Sequence, residues 1–415
     1  MIIPLTDKLK TKVMNQGYYG DGCYVVTLQC MEKSDYLEYL SYLEEQDFEK
    51  YVDNKDGLEG VVFTATYTKG KHVLTISYMK KTQKGYIAFS MNQTLSPNLI
   101  YNSEYLAGNQ PGARTSLHML EMYWYGNSFV IQLKNGHFIV SDGGLPHEIR
   151  YLLDYLEELA PEGEKPVVEA WFITHAHVDH CGALGELGMD DHLRERLYVE
   201  GIYFNEPGNS VMPDPWLHMM IARMKVAAGV LRTTQNKHPK IYRPQTGQRY
   251  YFDDITMDIL HCQEQLPPED YKCQDYKWDF NDSSTWYLFT IEGQKVLFTG
   301  DGDVGSMEVL RQVYGKEHLG VDVMTLMHHG FNTWKPFTDD CLVTTILQTS
   351  KDKMFPPRRE DNAYLKERTK EWLAWGDGTK ILRFPYAVGE YECLPQREWI
   401  YHKGQERPEQ PNVGW

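Results

Sequence analysis

A chain of 415 residues, 42% hydrophobic and 24% charged, can bury a sizeable core, and its composition excludes a disordered or fibrous protein. No run reaches the ~20 apolar residues of a membrane span. The formal net charge of −16 repels long polyanions, so a grip on duplex nucleic acid is not expected, although a single phosphate group could still bind at a metal.

At the start, Pro4, Asp7 and Lys8 interrupt a short apolar stretch, so a secretory signal is not expected and a cytoplasmic protein is. A strand around Val25 to Cys30 leads to Ser34 and Asp35, which fit a helix N-cap, with Glu38 placed for a capping box and Tyr36, Leu37, Leu40 and Leu43 at helical spacing. The runs 61–67 and 72–78 alternate or are β-branched, and they read as a hairpin through Lys69-Gly70. Residues 85–90 form a further strand. Nothing here has the spacing of ligands or a nucleophile, so residues 1–110 read as a small α+β accessory domain.

Gly108, Pro111 and Gly112 mark the boundary, and residues 111–415 form the second domain. Residues 126–144 predict two strands around an Asn135-Gly136 turn, ending in Asp142-Gly143-Gly144. Ile149, Leu152, Leu153 and Leu156 share one helix face, and 167–174 is an apolar run expected as a strand buried on both sides. The order β–β–α–β indicates a layered α/β architecture. Asp214-Pro215 opens a helix whose Met-rich stripe fits core packing. Strands are expected again within 241–261 and 286–303, then a Pro356-Pro357 loop, a helix over 362–373 and a strand at 381–384. The seven cysteines, Cys23, Cys30, Cys181, Cys262, Cys273, Cys341 and Cys393, show no CxxC pair and fit reduced thiols.

The chemistry concentrates in THAHVDHCG, Thr174 to Gly182. Three histidines and an aspartate occupy the positions directly after a buried strand. Imidazoles at i and i+2 on a strand-end loop can chelate one cation, while Asp179 and His180 can offer an oxygen and a nitrogen to a second. Gly182 lets the chain pass close to the site. Two later strands also end in ligand-type residues, one in Thr299-Gly300-Asp301 and the other in His328-His329-Gly330.

These blocks, in this order, resemble the metallo-β-lactamase superfamily of hydrolases, and most closely the soluble metallo-β-lactamase domain of ComEC-like competence proteins. The resemblance runs over residues 117–395 and includes Leu260-His261 and the Asn281-Asp282-Ser283-Ser284 stretch. It implies a four-layer αββα sandwich with a binuclear metal site at one edge of the sheets. By that resemblance His175 and His177 hold one metal, Asp179, His180 and His328 hold the other, and Asp301 bridges them. Asp142 would support the ligand imidazoles from behind. His328 is preferred to His329 because it directly follows the strand. In one departure, the family pattern places a further histidine between the first motif and the bridging aspartate. Here Asn281 or Asp282 are the candidate replacements, with His261 and His218 as more distant ones. The metals are expected to be zinc, with manganese or iron favoured by an oxygen-richer site.

The implied reaction is attack by hydroxide generated between two divalent ions. Asp179 would orient the nucleophile, and His329 would protonate the leaving group or stabilise the oxyanion. A phosphodiester is the favoured substrate. The alternatives are an acyl hydrolase acting on a thioester or lactone, and a non-catalytic binding or regulatory protein with a degenerate metal site. No oligomeric state is implied.

Overall fold

Residues 62–79 alternate with the strand period, and their two faces differ in chemistry. Phe63, Ala65, Tyr67, Leu74, Ile76 and Tyr78 point one way, while Thr64, Thr66, Thr75 and Ser77 point the other. The computed structural model describes residues 3–18, 20–122, 126–208, 214–262, 280–349 and 359–395. The predicted Pro356-Pro357 loop and Cys273 lie outside the described residues. A short helix α1 (Asp7–Lys10) precedes a six-stranded antiparallel sheet. Its strands are β1 (Val13–Tyr18), β2 (Tyr24–Leu28), β3 (Glu49–Leu58), β4 (Val62–Lys69), β5 (His72–Met79) and β6 (Lys84–Met91), ordered β1-β2-β6-β5-β4-β3. The apolar face packs on helix α2 (Lys33–Glu45) through Tyr36, Tyr39, Leu40 and Leu43.

The start of α2 departs from expectation. Glu32 is the N-cap, and Asp35 is buried as the partner of Lys8 and Lys12 Nζ, each at 2.6 Å. With the helix set this way, Leu37 turns out to 51% exposure and Tyr39 turns in. Tyr36, Leu40 and Leu43 keep the expected buried face, and Tyr39 takes the place of Leu37 on it.

The second sheet has nine strands: β7 (Ser116–Met119), β8 (Ser128–Gln132), β9 (Phe138–Asp142), β10 (Val167–Ile173), β11 (Tyr198–Val199), β12 (Gly201–Phe204), β13 (Lys240–Tyr242) and the late β21 (Lys380–Arg383) and β22 (Glu392–Cys393). The third has seven: β14 (Arg249–Phe252), β15 (Ile255–His261), β16 (Trp286–Ile291), β17 (Gln294–Phe298), β18 (Val321–Thr325), β19 (Val343–Gln348) and β20 (Glu371–Ala374). The predicted hairpin at Asn135-Gly136 joins β8 to β9, with Gln132 opposite Phe138.

The two larger sheets meet face to face. Phe129 packs edge-on to Phe298 with centroids 5.2 Å apart, and Phe172 meets Tyr287 at 5.5 Å. Helices α3 (Ile149–Leu159), α4 (Val178–Met189) and α6 (Pro215–Val230) bury Leu152, Leu184 and Met224 in the same apolar cluster, and α5 (Asp191–Arg194) follows α4. On the third sheet, α7 (Val304–Tyr314) and α8 (Lys335–Asp340) set Met307, Leu310 and Phe337 against Leu297, Met324 and Ile346. The helix expected over 362–373 is shorter: α9 covers Arg359–Arg368, and 371–374 is β20, paired parallel to β19. Leu373 is buried there and Trp372 Nε1 donates to Gln348 Oε1 at 2.6 Å, so sheet pairing overrides the helical pattern.

The hydroxyl face of the N-terminal sheet is covered as well. Thr64 Oγ1 and Ser77 Oγ donate to the Thr246 carbonyl at 3.1 and 2.5 Å, and Gln248 Nε2 donates to Thr66 Oγ1 at 3.2 Å. At the rim of this contact, Leu58, Val62 and Met79 join the apolar cluster of the third sheet. Among the described residues, no helix is long and apolar enough to cross a membrane.

Candidate metal centre

Strand β10 ends at Ile173, and the next seven residues carry the densest cluster of histidines in the chain. Thr174 and His175 leave the strand end, His177 is the N-cap of α4, and Asp179 and His180 sit in that helix's first turn. Asp301 arrives on the segment after β17, and His328 and His329 on the turn after β18. All of these except His177 and His328 are buried. Gly182 has a different role from the one expected. A Cβ there would come within 2.6 Å of Pro146 Cδ, so the glycine allows close packing of α4 on the preceding loop.

Asp142 organises the cluster from behind. Its carboxylate accepts from Asn127 Nδ2 at 2.8 Å, the Thr174 amide at 2.8 Å, Thr174 Oγ1 at 3.0 Å and His180 Nδ1 at 2.9 Å. Because a carboxylate only accepts, His180 Nδ1 is the donor, and its Nε2 keeps a lone pair unless the ring is charged. That Nε2 is buried without a hydrogen bond and lies 3.1 Å from Asp301 Oδ1 and 3.5 Å from Asp179 Oδ2.

Among the described residues, donor atoms converge in two sets, each lying within 4.8 Å: Asp179, His180, Asp301 and His329, and His175, His177 and Asp301. Asp301 belongs to both. Its Oδ1 faces His180 and His329 Nε2, the latter at 3.6 Å, while Oδ2 faces His175 Nε2 at 3.9 Å. The histidine that joins Asp179 and His180 is therefore His329, where position along the chain had favoured His328. His328 and His329 both take left-handed backbone angles, φ 44° and 52°, and this turn swings the second ring inward. His329 Nε2 lies 3.2 Å from Asp179 Oδ2, whereas His328 keeps 14% of its side chain exposed.

The segment carrying the histidine motif also matches a known family. Residues 123–194 match the metallo-beta-lactamase superfamily. That segment belongs to the metallo-β-lactamase superfamily. The α/β, multi-sheet fold is metallo-β-lactamase-like, with the six-stranded N-terminal sheet as an addition. No curated protein matches the chain. Among solved structures it is similar to Zn(2+)-bound PqqB from Methylobacterium extorquens, at 12% identity over 61% of this chain and 86% of that one, TM-score 0.39. It is also similar to a long-form RNase Z from yeast, at 10% identity over 75% of this chain and 51% of that one, TM-score 0.34. The chain thus spans about half of that RNase Z.

The electrostatics of the cluster are those of a cation site. Burial alone would raise both carboxyls, yet His180 holds Asp179 far below its usual range, and His180, His329 and His328 together do the same for Asp301. Burial would lower His180, but Asp301, Asp179 and Asp142 outweigh it and raise its pKa. His329 is raised too, against burial, by Asp301 and Asp179. Burial and the neighbouring rings His180 and His177 push His175 well down, and burial also lowers His177. Without a cation, protons on His180 and His329 must balance the carboxylates. With one, the nitrogen and oxygen donors already face a shared point, so the residues fit a metal pair.

The remaining candidates take other places. Asp282 Oδ1 accepts from the Asp303 amide at 3.2 Å and from the Ser306 amide and hydroxyl at 3.1 Å each, so it anchors the start of α7, and it belongs to neither metal set. Asn281 is buried in the same turn. His261, His218 and Cys181 lie outside both sets, and burial raises the Cys181 thiol. Sequence reading missed the supporting residues Asn127, Thr174, Ser284 (whose Oγ accepts from the Asp301 amide at 3.1 Å) and Thr349 (3.0 Å from His329 Nδ1). Only Thr174 and Ser284 carried a signal, since each lies within a motif.

Proposed function

We propose that the protein is a metal-dependent hydrolase with a binuclear centre, acting on a phosphodiester. The observation that carries the hydrolase reading is Asp301, whose two carboxylate oxygens face two different sets of histidines. His175, His177 and Asp301 would hold one cation, and Asp179, His180, His329 and Asp301 the other, with zinc the expected metal. A pair of divalent ions held there would lower the pKa of a water and offset the charge that develops on the substrate oxygen.

The chain's own residues make that possible in definite ways. Asp142 and Thr174 fix the His180 ring so that its Nε2 faces the carboxylates. Asp179 is held ionised and faces the shared point, where it can orient the nucleophile. Burial of the ligands excludes bulk water and strengthens each interaction. The phosphodiester preference rests on the resemblance of the blocks around Asn281–Ser284, Thr299–Asp301 and His328–Gly330 to ComEC-like proteins. The first of these blocks supports the site directly, through Ser284 at the Asp301 amide.

The test is turnover of bis-para-nitrophenyl phosphate by protein reconstituted with zinc or manganese. A generic thioester and a β-lactam are run in parallel, with His177→Ala as the blank. Metal-dependent cleavage of the diester, absent in the blank, is the expected result. Thioester turnover without diester turnover would transfer the assignment to acyl chemistry. Fewer than one metal equivalent after reconstitution would end the catalytic reading.

A further inference from the structure

We propose that His328 contacts the substrate through its Nε2–H as a hydrogen-bond donor, and that Asn332 positions it for this. The proposal rests on the hydrolase reading above and extends it to a residue outside the two ligand sets.

Asn332 Nδ2 lies 2.7 Å from Asp303 Oδ2 and 2.8 Å from His328 Nδ1. An ionised carboxylate only accepts, so the amide nitrogen, not the amide oxygen, must face Asp303. Its second hydrogen then points to His328, whose Nδ1 becomes an acceptor. A ring whose Nδ1 accepts carries its hydrogen on Nε2, and a nitrogen that carries a hydrogen does not ligate a cation. That Nε2 faces the centre, 3.6 Å from Asp301 Oδ2, on a side chain 14% exposed. Asp303 is itself fixed, because its Oδ1 accepts from the Val304 amide at 2.7 Å at the start of α7. Position is thus passed from a helix start through Asn332 to the ring.

The neighbouring histidine is set the other way. His329 Nδ1 lies 3.0 Å from Thr349 Oγ1, a hydroxyl able to accept its hydrogen, so that Nε2, which donates to Asp179 Oδ2 at 3.2 Å, would offer its lone pair once a cation displaces that proton. The ring is 3% exposed. Two consecutive left-handed residues place the rings 6.2 Å apart at 61°. Such backbone is costly outside glycine and persists where the surroundings hold it. The turn therefore separates one ligand from one donor that an incoming substrate oxygen can reach.

Three variants test this with bis-para-nitrophenyl phosphate and zinc. His328→Gln should keep the metal content of the unmodified protein, while kcat falls about 10²-fold, the scale of one lost oxyanion donor, and KM changes little. His329→Gln should lose a metal equivalent. Asn332→Ala should keep its metal and lose about tenfold in kcat, with the imidazole ¹⁵N shifts of His328 moving from one tautomer towards a mixture. Loss of a metal equivalent in His328→Gln would make His328 a ligand and overturn the proposal. A protonated Nδ1 on His328 in the unmodified protein would do the same. The nitrogen shifts are also read on metal-free protein, so the tautomer is decided even if the hydrolase reading fails.

Discussion

The seam between the N-terminal sheet and residues 245–248 buries polar side chains, and so does the metal centre, but the two differ in charge and in completeness. In the seam the groups are neutral and paired: Thr66 Oγ1 lies 3.0 Å from Thr75 Oγ1, Gln248 Nε2 reaches Thr66, and Thr64 and Ser77 share the Thr246 carbonyl. His118 follows the same rule, with Ser116 Oγ at 2.8 Å from Nε2 and Tyr155 OH at 2.6 Å from Nδ1. His180 is as deeply buried, yet one of its nitrogens has no hydrogen bond and faces two carboxylates. Buried neutral groups with complete partners hold the structure together. Buried charges that converge on one point are stable only when something else completes them, which marks a site.

The largest effect should come from removing the group shared by both sets. Asp301→Ala should lose both metals, and kcat/KM on the aryl diester should fall by about 10³-fold or more, roughly 4 kcal/mol. Metal analysis and kinetics on the purified variant check this. Full metal content with full activity would refute the bridging role and, with it, the contrast drawn above. The chain should remain folded, because Asp301 belongs neither to the seam nor to the three large apolar clusters.

The motif residues were legible because they are dense and follow buried strands. Thr174–His180 and Asp301 are both placed by strand ends, which apolar runs reveal. The choice between His328 and His329 was not legible, since it depends on two left-handed residues in succession, a conformation that neither side chain announces. Asp282 looked like a ligand because an acidic residue at a turn can serve either as a ligand or as a cap. Only the amides of Asp303 and Ser306 decide it. The alternation of 62–79 was visible, but its hydroxyl face finds its partner far along the chain, 182 residues on in the case of Thr64 to Thr246. Short-range patterns carry no trace of that pairing.

A smaller effect should come from the seam and leave the metal centre alone. Gly247 has φ +90°, and a Cβ there would fall 1.9 Å from Thr64 Oγ1 and 2.8 Å from Val62 Cγ1. Gly247→Ala combines an unfavourable backbone with a clash, so a loss of about 2–4 kcal/mol is expected in denaturant unfolding. Metal bound per folded chain should not change. If the variant instead lost metal while keeping its stability, the seam would be coupled to chemistry and the comparison would fail.

The smallest effect separates the two kinds of buried histidine by pH. Burial, reinforced by Arg383, pushes the pKa of His118 down to about 3. In the unfolded chain it would titrate near ~6.5. Between these values the unfolded state binds a proton that the folded state refuses, so stability is lost as pH falls below ~6.5, at about 1.4 kcal/mol per unit, until about pH 3. Above ~6.5 the group contributes nothing to the slope. By pH 5 the loss traceable to His118 should be about 2 kcal/mol. His118→Gln keeps a polar group near Ser116 and Tyr155 but does not titrate, so it should be less stable at pH 7.5 yet lose about 2 kcal/mol less than the unmodified protein on going to pH 5. The other histidines titrate in both proteins and cancel in the difference. Equal losses would mean that His118 gains its proton without penalty in the folded chain, and the two hydroxyls could not then be its neutral partners.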